Sequence, residues 1–279
     1  MHITMEGDVA LVTGGGAGIG RGIVTAFVEL GAHVIVAEIN ADHCTDLERE
    51  FGSAVSVVEC DVRRTGDMVK LQSAVDASGG RLDVLVNNVG HHLRMSAPFE
   101  DTAEEDWDRL YDINLRHMFV VTRAMIPGLR KSRRVASIIN VSSIEGFRSF
   151  PGNVPYTAFK HAVTGFTRAL ALQLAPDGIR VNTLAPETTD TEQVPLDKVL
   201  DPALRHEADR TIPMGRFGVP RDHAGVAVFL ATELSSWVTG SSVVVDGGGL
   251  VGGPFRLSPD DKWTNMGVVT DVATVKPRP

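Results

Sequence analysis

The chain has 279 residues, 43% of them hydrophobic and 22% charged, an ordinary globular composition with length enough for one large α/β domain and a substantial core. Its net charge of −8 speaks against a general binder of nucleic acid or of anionic membranes, because both partners call for surplus Lys and Arg. Cys44 and Cys60 fall in no metal or redox spacing, Met1–Asp8 is polar, and the apolar runs are too short to cross a bilayer, so a reducing, cytoplasmic setting is expected.

Val9–Thr13 reads as a short apolar strand, Gly14–Gly20 as a glycine-rich turn and Arg21–Leu30 as a helix. The context of strand, glycine turn and helix is what lifts a glycine pattern above chance. Glycines let the backbone approach a pyrophosphate, and the helix N-terminus offers free N–H groups. His33–Ile39 is the second strand, with Glu38 near its C-terminal end. A carboxylate there can accept from ribose hydroxyls and repel a 2′-phosphate. No Lys or Arg stands between Gly14 and Gly20 or directly after Glu38, which favours NAD over NADP.

Ala41–Phe51 reads as a helix, Ala54–Cys60 as a third strand with Cys60 in its buried packing, and Thr65–Ala77 as a helix capped by Thr65. Leu82–Val86 is a fourth strand ending in Asn87-Asn88-Val89-Gly90. His91 and His92 have no carboxylate or cysteine ligand at a useful local spacing, so no metal is expected. Ala103–Leu129 reads as one long helix capped by Thr102, with Asn114 embedded among its apolar positions. Val135–Val141 is a fifth strand, leading into Ser142 and Ser143.

Asn153 is a good N-cap residue, Pro155 suits a first helical turn, and Pro176 and Gly178 end the run. On that helix Tyr156 and Lys160 stand four apart and share a face. An ammonium beside a phenol favours phenolate and would pull the tyrosine pKa down toward the range of a working base. Ser143 lies thirteen residues before the tyrosine, and Thr-Gly-Gly-Gly-Ala-Gly-Ile-Gly opens the chain.

With these motifs the chain resembles the short-chain dehydrogenase/reductase family, from about Gly7 to Gly249. The resemblance implies a Rossmann-type, doubly wound α/β fold: about seven parallel strands with helices on both faces. It implies one domain over residues 1–249, with a substrate lid at 190–215 and an extension at 250–279. Asn114, Ser143, Tyr156 and Lys160 match the family's catalytic residues, with Asn114 holding a water against Lys160. Gly14, Gly16, Gly18, Ile19, Gly20, Glu38, Asp61, Val62, Asn87, Gly90, Tyr156, Lys160, Pro186, Thr189 and Thr191 match its cofactor cleft. Asp61 would meet the adenine. The loop after Gly90 borders the family's substrate pocket, so His92 and Arg94, with Ser143 and Glu187, are the substrate-side candidates.

Three positions depart from the family pattern: Glu38 stands where the family more often has Asp, a longer side chain with the same charge, and two more follow. Val89 replaces the usual Ala, and Glu187 replaces the Gly that normally follows Pro186. Ile179–Leu184 reads as the sixth strand and Pro195–Arg210 as a polar, helical insert of the kind that closes over substrate. Pro220–Thr232 reads as a helix and Ser241–Val245 as the last strand. Leu250–Pro279 is poorly periodic, with Trp263 and Met266 as candidate anchors or else a frayed tail.

The expected function is hydride transfer between NAD(H) and a secondary alcohol or ketone, with Tyr156 as general acid/base and a small molecule as partner. One rival is an NADPH-dependent 3-oxoacyl-thioester reductase. A rival of another class is a non-catalytic dinucleotide-binding protein. Relatives are mostly tetramers, so a homotetramer is expected.

Overall fold

The apolar runs form seven parallel strands: β1 (Val9–Thr13), β2 (His33–Glu38), β3 (Val55–Glu59), β4 (Val84–Asn87), β5 (Ala136–Val141), β6 (Ile179–Pro186) and β7 (Ser242–Val245). They lie side by side in the order β3-β2-β1-β4-β5-β6-β7. The chain runs outward from β1 in one direction, then returns to start the other half at β4. This computed structural model describes residues 3–205, 209–253, 256–257 and 263–264.

Every residue of β1, β4, β5 and β6 is buried, which explains why their sequences are apolar runs without alternation. Both faces are covered. On one face Ala10, Val12, Val34, Val36, Val84 and Val86 pack against Ile23, Val24 and Phe27 of α1 (Gly18–Glu29), Leu47 of α2 (Ala41–Phe51) and Ala227 and Leu230 of α8 (Pro220–Ala231). On the other, Leu11, Ile35, Leu85, Ile138 and Val181 meet Leu71 and Val75 of α3 (Met68–Ala77), Met125 and Leu129 of α5 (His117–Leu129) and Leu170 and Leu174 of α6 (Val154–Leu174). Each such Leu or Ile contributes roughly 1.5–3 kcal/mol by leaving water. Cys60 is buried in this second core, as its strand pattern implied.

Several boundaries differ from the sequence reading. The long helix over 103–129 is broken into α4 (Glu104–Tyr111), a π-helical turn at Asp112–Arg116, and α5. Periodicity cannot register one extra residue in a turn, and such turns gather at functional sites. Thr102 does not cap α4: its hydroxyl donates to the Phe99 carbonyl and accepts from the Trp107 indole N–H, and Ala103 occupies the cap position. Thr65 opens a 3-10 turn, Thr65–Asp67, ahead of α3. Asn153 holds the N-cap position of α6, but its side chain makes no capping bond.

The insert expected to be helical over 195–210 is instead one short turn, α7 (Leu196–Val199), and a 3-10 turn at Pro202–Leu204. Residues 206–208 lie outside the described residues. In the extension, Gly249–Gly252 is a single helical turn, and β8 (Arg256–Leu257) pairs antiparallel with β9 (Trp263–Thr264). The expected anchor Met266 lies outside the described residues. Among the described residues no helix is long and apolar enough to cross a membrane.

Candidate active site

The crevice where ligands bind an open α/β sheet lies beyond the strand ends at the point where strand order reverses, here between β1 and β4. Side chains from both strands build it. The Thr13 hydroxyl accepts the N–H groups of Asn88 (3.0 Å) and Val89 (3.3 Å). The Asn88 amide donates to the carbonyls of Thr13 (3.0 Å) and Gly14 (3.1 Å). These bonds lace the glycine turn to the end of β4.

Gly14 and Gly16 lie in that turn, Gly18 and Gly20 in the first turn of α1 that follows it, and Ile19 between them packs against the α1 face of the core. Helix α1 starts at Gly18 with no acidic residue in its first turn and no side chain capping it, so its N–H groups face an incoming anion. Gly16 has to be glycine: a Cβ there would stand 2.5 Å from Oε2 of Glu38. The Glu38 carboxylate accepts N–H groups from Gly16 (2.9 Å), Ile39 (2.8 Å) and Asn40 (3.0 Å). Buried at the end of β2, it puts a fixed negative charge beside the turn.

The other expected cofactor residues are placed less uniformly. Asp61 is gripped by the Arg63 guanidinium at 2.8 to 3.2 Å, which holds its carboxyl below the usual carboxylate range. Val62 is buried in the core below it. Asn87, expected both to line the cleft and to steady the central sheet, does the second: it is fully buried, and its amide donates to Thr122 (3.0 Å) and Asn140 (2.8 Å), tying β4 to α5 and β5. Pro186 ends β6. Thr189 is closed off: its hydroxyl donates to the Glu187 carbonyl (2.8 Å) and accepts from Nε2 of His223 (2.7 Å). Thr191 comes against the glycine turn, 3.3 Å from where a Cβ on Gly18 would be.

Asn114, Ser143, Tyr156 and Lys160 come together at the ends of β4 and β5. The π-helical turn carries Asn114 inward, where it is fully buried. Its Oδ1 accepts the His91 N–H (3.0 Å) and its amide donates to the carbonyls of His91 and Leu110 (both 2.9 Å). The Lys160 ammonium is buried and has one long bond, to the Val141 carbonyl at 3.4 Å. A Cβ on Gly90 would lie 2.9 Å from Lys160 Nζ and 3.3 Å from Asn114 Oδ1, so glycine at this position keeps the two side chains in one space. Nζ stands 5.6 Å from the centre of the Tyr156 ring.

The electrostatics correct the sequence reading. Burial pushes the Tyr156 phenol up, not down, and the Glu145 carboxylate pushes the same way, while the hydrogen bond with Ser143 opposes them. Burial also lowers Lys160 to about 8, with Glu145 opposing. Both shifts have one reason: desolvation penalises the charged form of each group, and the ammonium sits toward the ring face. At neutral pH this tyrosine carries its proton.

On the substrate side, His92 meets the Tyr156 ring edge-on at 6.3 Å between centroids and stacks on His91 at 5.2 Å. Arg94 borders a cleft of about 220 Å³ with Trp107, Asn153 and Tyr156. Nδ1 of His92 accepts the Arg94 N–H (3.1 Å), and Leu93 and Arg94 both have positive φ. Burial lowers both histidines, keeping the rings neutral. Glu187 is buried and forms an ion pair with Arg148 (2.8 Å), also accepting the N–H and hydroxyl of Thr188. Sequence reasoning missed Asn88, Glu145, Arg148, His117 and His223. Only Glu145 and Arg148 carried a signal, their closeness to Ser143.

The family model that matches residues 14–249 is described as enoyl-(acyl carrier protein) reductase. The chain is 38% identical to a 3-oxoacyl-[acyl-carrier-protein] reductase of Thermotoga maritima, covering 88% of this chain and 98% of that one. It is 39% identical to an L-fucose dehydrogenase of Bos taurus, over 90% and 93% of the two chains. It is 37% identical to a 3-alpha-(or 20-beta)-hydroxysteroid dehydrogenase of Mycobacterium tuberculosis, over 92% and 97%. Among solved structures, a 3-ketoacyl-(acyl-carrier-protein) reductase of Brucella melitensis complexed with NADH superposes with a TM-score of 0.80 at 33% identity, covering 88% of this chain and all of the other.

Proposed function

The chain belongs to the short-chain dehydrogenase/reductase family, oxidoreductases acting on CH–OH groups, and from that premise we propose that it interconverts a secondary alcohol and a ketone with NAD(H). The observation that carries the cofactor choice is Glu38. Its buried carboxylate stands beside the glycine turn, where it would accept from ribose hydroxyls and repel a 2′-phosphate. The cations on either side of it in sequence are engaged elsewhere: Arg49 pairs with Asp46, Arg21 with Glu50, and Arg63 grips Asp61. The Glu38 carboxylate against Gly16 and the open N–H groups of α1 fit a dinucleotide.

Bound there, the nicotinamide supplies the hydride chemistry. The protein's own groups handle the oxygen and its proton. Ser143 donates to the substrate oxygen and steadies the charge that develops on it. Tyr156 gives its proton to that oxygen during reduction and takes it back during oxidation. Lys160 holds a positive charge near the phenol, which lowers the cost of phenolate. Asn114 fixes the His91 backbone and so the wall of the space that holds Lys160.

The relatives named for 3-oxoacyl-carrier reduction support a second reading, a 3-oxoacyl-thioester reductase, and the proton held on Tyr156 suits reduction; NADPH as its cofactor is the rival to the choice made on Glu38. One assay separates the two: initial rates with NADH and NADPH on ketones and on a 3-oxoacyl thioester. A preference for NADPH would overturn the cofactor choice. We place the chain in the cytoplasm on its two free, buried thiols. We also propose a homotetramer built on α5 and α6, which leave Phe119 and Leu172 exposed. Light scattering of the purified protein tests the assembly.

A further inference from the structure

The turn that follows β4 is held by its own two histidines. Met95 donates its N–H to the His92 carbonyl (3.2 Å), closing a turn whose central residues, Leu93 and Arg94, have φ of 54° and 53°. A turn of this hand ordinarily takes Asn or Gly at its centre. Among the described residues, Leu93 and Arg94 alone have positive φ without being glycine, and strain of this kind gathers at functional sites. The strained turn locks two rings. Nδ1 of His91 accepts the Leu93 N–H (2.6 Å), and Nδ1 of His92 accepts the Arg94 N–H (3.1 Å). A neutral imidazole that accepts at Nδ1 carries its proton on Nε2, so His92 is a donor there. Asn114 holds the His91 backbone through both its N–H and its carbonyl, which ties the turn to the proposed catalytic groups.

That donor has nothing to receive it. Nε2 of His92 makes no hydrogen bond among the described residues and is not sealed from solvent. The ring stands edge-on to Tyr156. Arg94, on the same turn, is exposed, and its guanidinium makes no hydrogen bond or ion pair among the described residues. It borders the cleft that opens on Tyr156. Asp101 and Asp106 line that cleft as well, but Asp106 is drawn to Arg109 (3.1 Å) and Arg94 pairs with neither. The turn therefore offers an N–H and a positive charge beside the phenol that would handle the substrate's proton. A carboxylate accepts from both, and charge-assisted bonds to it are the strong ones. A plain hydrocarbon arm would leave both unmet.

We propose that His92 and Arg94 form a carboxylate clamp beside Tyr156, so that the substrate is a hydroxy or oxo acid whose carboxylate lies close to the reacting carbon. The proposal rests on the dehydrogenase reading above. The clamp binds and orients; the hydride still passes between the carbinol carbon and the nicotinamide, and the proton between the oxygen and Tyr156.

The test compares acids with their neutral esters. Wild type, His92→Asn and Arg94→Gln are assayed with NAD on 3-hydroxybutanoate and 2-hydroxycyclohexanecarboxylate, on the methyl ester of each, and on cyclohexanol. His92→Asn keeps an acceptor for the Arg94 N–H, as Asn does in many turns, and withdraws the donor at the Nε2 position. In wild type, kcat/KM for the better acid should exceed that for its ester by about 30-fold, within the range of hydrogen bonds to a charged group. In either variant that ratio should fall about tenfold, carried by KM, and Arg94→Lys should restore part of it. Thermal melting and NADH binding establish that a variant is folded; if His92→Asn is not, Arg94→Gln decides alone. Oxidation of the esters or cyclohexanol with no preference for the acids, or a ratio unchanged in folded variants, overturns this inference and leaves the dehydrogenase reading standing. No turnover of any alcohol with either nicotinamide cofactor removes both.

Discussion

His117 should make the protein acid-sensitive in a way that one substitution removes. The ring is fully buried at the start of α5, and neither nitrogen makes a well-formed hydrogen bond, although both lie near the Val89 and Ile113 backbone. Burial, helped by the Lys160 charge, lowers it to about 3, against about 6.5 for an unfolded histidine. Below pH 6.5 the unfolded chain therefore binds a proton that the folded chain refuses. Stability from this group is fully present above 6.5 and drains away as pH falls, until the folded protein also protonates near 3. The slope is about 1.4 kcal/mol per pH unit, so about 2.7 kcal/mol is lost by pH 4.5. His117→Leu fills similar space and cannot titrate. Its packing cost is the same at every pH, so only the pH dependence isolates the histidine. Urea unfolding at fixed protein concentration, at pH 7.5 and 4.5, should show the variant losing about 2.7 kcal/mol less than wild type. Parallel losses in the two proteins would refute the reasoning.

Tyr156→Phe keeps the ring and removes the transferable proton, so turnover should drop at least about a hundredfold in either direction; a wild-type rate would end its assignment. Glu38→Ala should weaken NAD and raise activity with NADP, and unchanged preference in paired kcat/KM measurements would remove the carboxylate from cofactor selection. Because Lys160 is lowered to about 8, it is charged below that pH and neutral above it. Ketone reduction measured as kcat/KM should be level below about pH 8 and decline above it, and Lys160→Arg should move the break upward. A flat profile from pH 7 to 9.5 would separate the lysine from the reaction. Gly90→Ala puts a Cβ 2.9 Å from Lys160 Nζ, so turnover should fall several-fold while thermal melting changes little; normal kinetics would show that the lysine has room to move.

Much of this molecule is written locally. A parallel strand buried on both faces needs a continuous apolar run, so β1, β4, β5 and β6 were visible as such runs, and the strand–glycine–helix order announced the dinucleotide crevice. Tyr156, Lys160 and Ser143 were recognisable because their spacing is local and α6 and β5 are regular.

Tertiary structure decided what depends on residues far apart in the chain. The π-helical turn that swings Asn114 inward adds no compositional mark to its helix. Asn87 and Asn88 look alike in sequence, yet one ties strands together inside the core and the other laces the glycine turn. The direction of the Tyr156 shift was misread because a pairwise rule counts the neighbouring charge and omits desolvation, which depends on everything packed around both groups. Arg148 and Glu187, thirty-nine residues apart, meet only because β5 and β6 are adjacent in the sheet. Spacing along the chain encodes periodic elements; burial and charge partnership are properties of the packed whole.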